Sequence, residues 1–360
     1  MSGELAIDLG SSRARVVDSS GRVLVDEPCV AAVDLTTGEL VAFGEAALPM
    51  PARSSGQLTV MRPVAHGQMQ DLPLTDAVTR WLLKRAESVA GHHYRRPAVL
   101  CCVPGLASGV QRRAMERAFR SGGAGHVEFI EHAVAVGVGF HLRIDEPVAT
   151  MVVDIGGGTT DVAVMALGGV VTEASVPLGG EDMDHAIREL CLRSFDLVIA
   201  KSVAEQVKFA IGTAWPEEEE KVEVSGRDVS NGTVRTVVLS SSEVSGATGE
   251  QVRRIVATVV ECIVTSPPDL ANDLLARGLH LAGNGSRLRG LARRLATTTG
   301  IPVHLGERPD HAAVLGAARC LRARTERPES RPAVTAMPLS PVDPAAGRDD
   351  RVSEPRPAVS

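Results

Sequence analysis

Aromatic residues are scarce in this chain, with six Phe, two Trp and one Tyr among 360 residues. That leaves too few stacking platforms for single-stranded nucleic acid, and a net charge of −6 lacks the basic footprint a polyanion partner requires. No nucleic-acid partner is expected. No uninterrupted apolar run reaches the roughly 18 residues of a membrane span. The six cysteines, Cys29, Cys101, Cys102, Cys191, Cys262 and Cys320, show neither a C-x-x-C pair nor a framework spacing, which points to free thiols in a reducing compartment. The opening MSGELAIDLG enters a strand pattern by about Glu4, with no charged n-region and no apolar h-region. A cytoplasmic chain is therefore expected.

What is present is size and repetition. At 360 residues with 44% apolar content, the chain exceeds what one core usually organises, so two domains are expected. Two stretches share one layout: ELAIDLGSSRARVVDSSGRVLVDEP at the start and TMVVDIGGGTTDVAVMALGGVVTEASVPL in the middle. Each reads as an apolar strand, an Asp, an apolar residue, a Gly, a small polar tip, a second strand, a glycine-bearing turn and a third strand. Asp8 and Asp154 occupy the same place in the two copies.

Such tips suit phosphate. Glycine tolerates positive φ and leaves backbone N–H groups uncovered, and Ser11, Ser12, Thr159 and Thr160 add hydroxyl donors around Gly156, Gly157 and Gly158. An ordinary glycine-rich turn is the plain alternative for either tip taken alone. Two tips facing each other across a cleft would grip a polyphosphate, and Asp8 and Asp154 are then placed to hold a hydrated Mg²⁺, which keeps several waters and takes only one or two carboxylates.

Elsewhere, sheet and helix alternate. Two short strands flank Thr37-Gly38. Residues 75–90 carry a helical stripe at Val78, Trp81, Leu82, Ala86 and Val89 with Thr75 as N-cap. PAVLCCVP reads as a buried strand, QRRAMERAFRSGGAG as a helix with a glycine stop, VEFI as a strand and HAVAVGVGFHL as a small-residue helix. Residues 182–194, 202–211 and 243–264 read as helices and TVRTVVLS as a strand. The acidic run 217–220 reads as a solvated loop. Gly283-Asn284-Gly285 forms another bare turn before the helix carrying Leu288, Leu291 and Leu295, a placement that suits an anion.

Taken together, IDLG (7–10), VVDIGGGTTDVAV (152–164), EQVKFAIGTAWP (205–216) and LAGNGSRLRGLARRLATTTGIPV (281–303) resemble the actin-like ATPases, and closely the MreB family of bacterial actins. The resemblance runs over about residues 4–322. It implies a two-lobed α/β actin-like fold, each lobe built on a ribonuclease H-like mixed sheet with flanking helices. ATP and Mg²⁺ would lie in the cleft between lobes, and filaments that organise cell-wall synthesis would be the assembly. The implied division is lobe I over 1–146 with a small subdomain at 28–62, lobe II over 147–308 with one at 179–247, and a C-terminal helix at 309–325 returning to lobe I.

Carried over by position, the first phosphate loop falls on Asp8, Gly10, Ser11, Ser12 and Arg13. The second falls on Asp154, Gly156, Gly157, Gly158, Thr159 and Thr160. The nucleoside contacts fall on Glu205 and Lys208, one helical turn apart, and on Gly283, Asn284, Gly285 and Arg287. Without the resemblance, Glu205 and Lys208 would read as a surface ion pair.

The chain departs from the family in four places. DLGSSRA puts Arg13 where a short amide side chain is usual, adding charge to the phosphates or crowding them, and Arg15 lies where actin carries a phosphate-contacting lysine. Asn284 replaces a glycine and would need to tolerate left-handed geometry. In VEFIEHAVAVGVG, His132 replaces the glutamate that orients the attacking water. Such assistance is worth roughly 10² to 10⁴ in rate, or about 3–5 kcal/mol of barrier. Slow hydrolysis is expected, with Glu131 and His132 as the candidate substitutes. Finally, the family's membrane-contacting loop reads GHHYRRP at 91–97, where His92, His93, Tyr94, Arg95 and Arg96 offer weak contact with anionic headgroups or simply form a wet loop.

Residues 326–360 hold seven prolines in 35 residues and few large apolar side chains, the composition of a disordered tail. Two functions stay open: a filament-forming ATPase that self-associates and meets cell-wall synthesis membrane proteins, or a degenerate homologue that binds nucleotide and scaffolds a paralogous filament. A chaperone ATPase would need a substrate domain, and a sugar kinase a catalytic Asp and a sugar pocket, none of which is recognisable. ATP and GTP are not distinguished.

Overall fold

The computed structural model describes residues 3–50, 56–215 and 218–326; of the tail 326–360 expected to be disordered, Glu326 instead closes the helix Ala312–Glu326 and the rest lies outside the described residues. Two five-stranded sheets of identical topology organise the molecule. In the first, Glu4–Leu9 pairs antiparallel with Arg13–Asp18, which pairs with Val23–Pro28. Its other edge runs parallel to Ala98–Val103, which runs parallel to His126–Glu131. In the second, Thr150–Ile155 takes the central place, with Thr160–Ala166 and Gly169–Val176 antiparallel on one side. Leu279–Ala282 and Val303–Leu305 run parallel on the other. The repeat in the sequence is thus a repeat of strand order and direction.

The central strands explain why the acids stand out. Every residue of Thr150–Ile155 is buried, as in a parallel strand covered on both faces, and Asp154 is its one ionisable group. Burying a carboxylate without purpose is costly. Each lobe also carries a three-stranded sheet: Ala31–Asp34 between Leu40–Phe43 and Leu58–Met61 in the first, and Lys221–Asp228 between Leu197–Val198 and Val234–Ser240 in the second.

The helices fall near their expected places, with instructive shifts. The helix expected over 75–90 runs Leu72–Ala90, three residues earlier than its apolar stripe suggests. Asp71 rather than Thr75 caps it, accepting the Leu74 N–H at 2.7 Å, with Pro73 in the first turn where its missing N–H is harmless. Thr75 instead donates to the Asp71 backbone oxygen at 2.7 Å. Gly109–Gly122 opens with a Ser108 capping box. The described residues of the acidic run, 218–220, are exposed as expected, and two of them are anchored: Glu219 accepts from the hydroxyls of Ser241 and Ser242, and Glu220 pairs with Arg289 at 2.6 Å.

Two helices join the lobes. His132–Gly139 and Ala312–Glu326 lie in one buried core that draws Ala6, Leu100 and Ile130 from the first sheet and Val152, Ala163 and Met165 from the second. They meet backbone to backbone. A Cβ on Gly316 would stand 1.7 Å from the Ala135 oxygen, and one on Gly139 would stand 2.1 Å from the Ala312 oxygen. His132, first residue of its helix, is thereby set on the floor between the central strands. All six cysteines are free and five are buried. Among the described residues, no helix is long and apolar enough to cross a membrane.

Candidate functional site

A cavity of about 640 Å³ opens between the two sheets, at the ends of their central strands. Its walls include Asp8, Gly10, Ser11, Ser12 and Arg13 from the first copy and Asp154, Gly156, Gly157, Gly158 and Thr159 from the second. Of the other expected residues, His132, Glu205, Gly283 and Asn284 line it too, and Arg15, Arg62, Lys201 and Asp310 join them.

The two turns close alike, Gly10 N donating to Arg13 O at 3.0 Å and Gly156 N to Thr159 O at 2.8 Å. Positive φ is not why the second turn is glycine: none of Gly156, Gly157 and Gly158 adopts it. The reason is proximity. A Cβ on Gly157 would stand 2.5 Å from the Ser12 Cβ, and one on Gly158 would stand 2.6 Å from the Ser11 Oγ. The tips of the two lobes therefore touch. Gly283 does have φ +76, and a Cβ there would come within 2.6 Å of Asp154 Oδ1. Asn284, in a 3-10 turn, has no positive φ, so the left-handed geometry its side chain would have to tolerate is not required.

Three carboxylates surround His132. Its Nε2 lies 3.4 Å from Asp8 Oδ1, and its Nδ1 lies 3.7 Å from Asp154 Oδ2 and 3.9 Å from Asp161 Oδ2. Burial alone would lower the imidazole pKa, but Asp8, then Asp154 and Asp161, raise it to about 9. The three carboxylates thus favour the protonated ring. Asp154 is pushed the other way, up to about 7, by burial first and by Asp161 and Asp8 against the pull of His132. Burial likewise opposes ionisation of Asp8, yet His132 and then Arg15 hold its pKa below the ordinary value. Asp161, absent from the sequence-based list, stands opposite Asp154 in the strand register. One of its oxygens accepts from Ser175 at 2.8 Å while the other is buried without a hydrogen-bond partner.

Several expected contacts are not brought to the cavity. Glu131 does not line it; Arg112 holds its Oε1 at 3.1 Å. Thr160 is fully buried and donates to the Leu178 oxygen at 2.9 Å, because strand alternation turns it inward while Thr159 faces the cleft. Lys208 is buried, its Nζ bound to Asp184 Oδ1 at 2.7 Å and to the Gly180 oxygen at 3.0 Å. Gly285 packs on Ile155, and Arg287 reaches Asp310 at 3.1 Å. Arg13 lines the cavity but is tied to Asp26, through Nε at 2.6 Å and through Nη2 to its backbone oxygen at 2.9 Å. Arg15 is the more buried arginine, set between Asp26 and Asp310.

The donor set fits Mg²⁺. Asp8 Oδ1 is buried and makes no aligned hydrogen bond, which leaves an acceptor for a metal-bound water. The described residues contain no cluster of three or more ligating side chains, and Mg²⁺ asks for none, since substrate phosphates and waters complete its octahedron.

The MreB/Mbl protein family profile matches residues 2–328. The chain belongs to the MreB/Mbl family. It is 36% identical to the cell shape-determining protein MreB of Escherichia coli K12 over 327 residues, covering 89% of this chain and 93% of the relative. It is 32% identical over 314 residues to the cell shape-determining protein Mbl of Bacillus cereus, covering 87% and 94%. Among solved structures, Spiroplasma citri MreB5 bound to AMPPNP matches with TM-score 0.82 at 25% identity, over 91% of this chain and 98% of that one. The MamK double helical filament subunit matches in fold with TM-score 0.73 at 21% identity, over 88% and 98%. This MreB-family chain is therefore an actin-like protein.

Proposed function

We propose that this MreB-family chain is cytoplasmic, binds ATP with Mg²⁺ in the cleft, assembles with its own copies into actin-like filaments serving cell shape, and hydrolyses ATP slowly. One observation carries the reading: Asp8 and Asp154 end equivalent strands of two equivalent sheets and meet at one imidazole. The relatives support it. The curated ones are named cell shape-determining proteins, MreB5 was solved with AMPPNP, and MamK as a double helical filament. The division into lobes at 1–146 and 147–308, with subdomains at 28–62 and 179–247 and a returning helix at 309–325, is part of the proposal.

In this reading the uncovered amides of the two turns and the hydroxyls of Ser11, Ser12 and Thr159 hold phosphate oxygens, and Arg15 adds fixed charge. Bound Mg²⁺ supplies neutralisation of the phosphate charge. Asp8 and Asp154 would hold that metal through its waters. Asp8, Asp154 and Asp161 favour the protonated form of His132, which makes it a poor acceptor for a proton from an attacking water and accounts for the slow hydrolysis proposed. Loop 91–97 contributes at most charge to a membrane: Tyr94 is buried, leaving His92, His93, Arg95 and Arg96 outside, at about 1 kcal/mol per Arg on anionic lipid. Liposome co-sedimentation of an Arg95/Arg96 double alanine variant tests that contact.

The protonated His132 also favours a second reading, a scaffold that binds nucleotide and regulates a paralogous filament with almost no hydrolysis. Sedimentation with ATP, GTP or no nucleotide, paired with phosphate release, separates the two. Pelleting with slow release supports the ATPase, pelleting without release selects the scaffold, and absence of heat on mixing with Mg-ATP sinks both.

A further inference from the structure

The rim of the cleft is closed by a guanidinium that none of the glycine turns supplies. Arg62 directly follows the strand Leu58–Met61 of the first lobe. Its Nη1 donates to the backbone oxygen of Ser11 at 2.5 Å and to Glu181 Oε1 at 2.7 Å. Glu181 belongs to the other lobe, in the first turn of Gly180–Phe195. There its own N–H donates to the Gly157 oxygen at 2.8 Å, and the preceding Gly180 N–H donates to the Gly156 oxygen at 3.0 Å. One nitrogen thus ties the tip of the first turn to the element on which the second turn hangs.

The surroundings make this more than a surface ion pair. The side chains of Arg62 and Glu181 are 26% and 16% exposed, which removes much of the screening that renders exposed pairs weak. Lys201 Nζ reaches the same Glu181 oxygen at 2.6 Å, so the carboxylate is shared by two cations, both lining the cavity. Charge-assisted hydrogen bonds of this kind are the strong ones. No polyphosphate can leave the cleft by separation of the tips unless Arg62 lets go of Ser11 or Glu181.

We propose that Arg62 and Glu181 form a cross-cleft clasp that positions the two phosphate turns together and sets the rate at which nucleotide leaves. Arg62 is a positioning residue here, acting through the Ser11 backbone and Glu181. The proposal rests on the nucleotide reading of the cleft, and its test keeps the two apart.

Release of a fluorescent N-methylanthraniloyl ATP, chased with excess ATP, is followed by stopped flow in the full chain with Mg²⁺. Arg62→Ala is expected to accelerate release by about tenfold or more, and Glu181→Gln, which keeps the shape, by a similar factor. The double variant should be no faster than the faster single, whereas independent structural effects would multiply. Wild-type release should quicken with added KCl, and that dependence should flatten in the variants. Hydrogen exchange on nucleotide-free protein is the second readout. Both variants should raise exchange in 9–13 and 156–159 together. If wild type fails to bind the probe while both turns still loosen together, the nucleotide reading falls and the clasp stands. Unchanged release and unchanged exchange in Glu181→Gln overturn the clasp, as does loosening of one turn alone.

Discussion

Gly158 approaches Ser11 so closely that a Cβ on the glycine would stand 2.6 Å from the serine Oγ. Gly158 belongs to one lobe and Ser11 to the other, and the glycine has no left-handed φ. Its lack of a side chain therefore serves contact between lobes. Gly158→Ala keeps an allowed backbone but inserts a methyl into the seam, where overpacking costs about 1–3 kcal/mol. Calorimetry with Mg-ATP should show affinity weakened by about ten- to a hundredfold, while the melting temperature moves little, because the lobes stay joined through His132–Gly139 and Ala312–Glu326. Wild-type affinity in this variant would mean that the tips part freely.

Stability should fall as pH rises. His132 has a pKa of about 9 against an ordinary 6.5; the folded state holds its proton more tightly. The stabilisation is complete below pH 6.5 and is lost as pH climbs through about 9. It amounts to about 3 kcal/mol. Asp154, lifted from 3.8 to about 7, works in the same direction over its own window, since the folded protein again binds the extra proton. Asp8, held low, opposes them only in acid, where stability drops as pH falls below 3.8. Thermal melts between pH 5 and pH 9.5 should show a steady decline, and His132→Gln should remove its upper limb. A flat wild-type profile would deny the charged imidazole.

Lys208 separates a structural role from a ligand role. The resemblance makes it a nucleoside contact, but its Nζ is committed to Asp184 at 2.7 Å, with both side chains under 5% exposed. Burial presses the Asp184 pKa upward against the pull of Lys208. Lys208→Met strands that carboxylate and should cost about 3–5 kcal/mol, and Lys208→Met with Asp184→Leu should recover most of it. Thermal melts measure the cost. Nucleotide affinity of the folded variants should stay within about threefold of wild type, a shift below 1 kcal/mol; a tenfold loss would return Lys208 to the site.

How much of this was legible depended on whether the deciding interaction is local. The duplicated meanders were, because strand period, Asp and bare tip lie within some 25 residues in each copy. Thr160 was legible in principle, since alternation puts it on the face opposite Thr159. The difference between Glu205 and Lys208 was not. They lie one turn apart, and only the packing of Gly180–Phe195 against their helix decides that Lys208 faces Asp184 while Glu205 faces the cleft. Arg62 gave no signal at all, because Glu181 is 119 residues away. Glu131 is turned away from the cavity because Arg112, on the helix Gly109–Gly122, holds its carboxylate, whereas Arg13 lines the cavity as expected while its guanidinium is tied to Asp26 on the adjoining strand.

The identity of residue 132 should govern turnover and metal demand together. In the present chain an imidazole stands between Asp8 and Asp154, and the protonated form that these acids favour offsets their charge without accepting a proton from water. His132→Glu restores the residue the family uses to orient the attacking water and removes the competing charge. Steady-state phosphate release with Mg-ATP should rise, by up to the roughly 10² to 10⁴ that general base assistance provides. The Mg²⁺ concentration for half-maximal nucleotide binding should fall. His132→Gln should lower the Mg²⁺ requirement without raising turnover, because it removes the charge but supplies no base. If His132→Glu binds nucleotide and hydrolyses no faster than wild type, slow turnover has another origin, and the imidazole is only a buried counter-ion for three carboxylates.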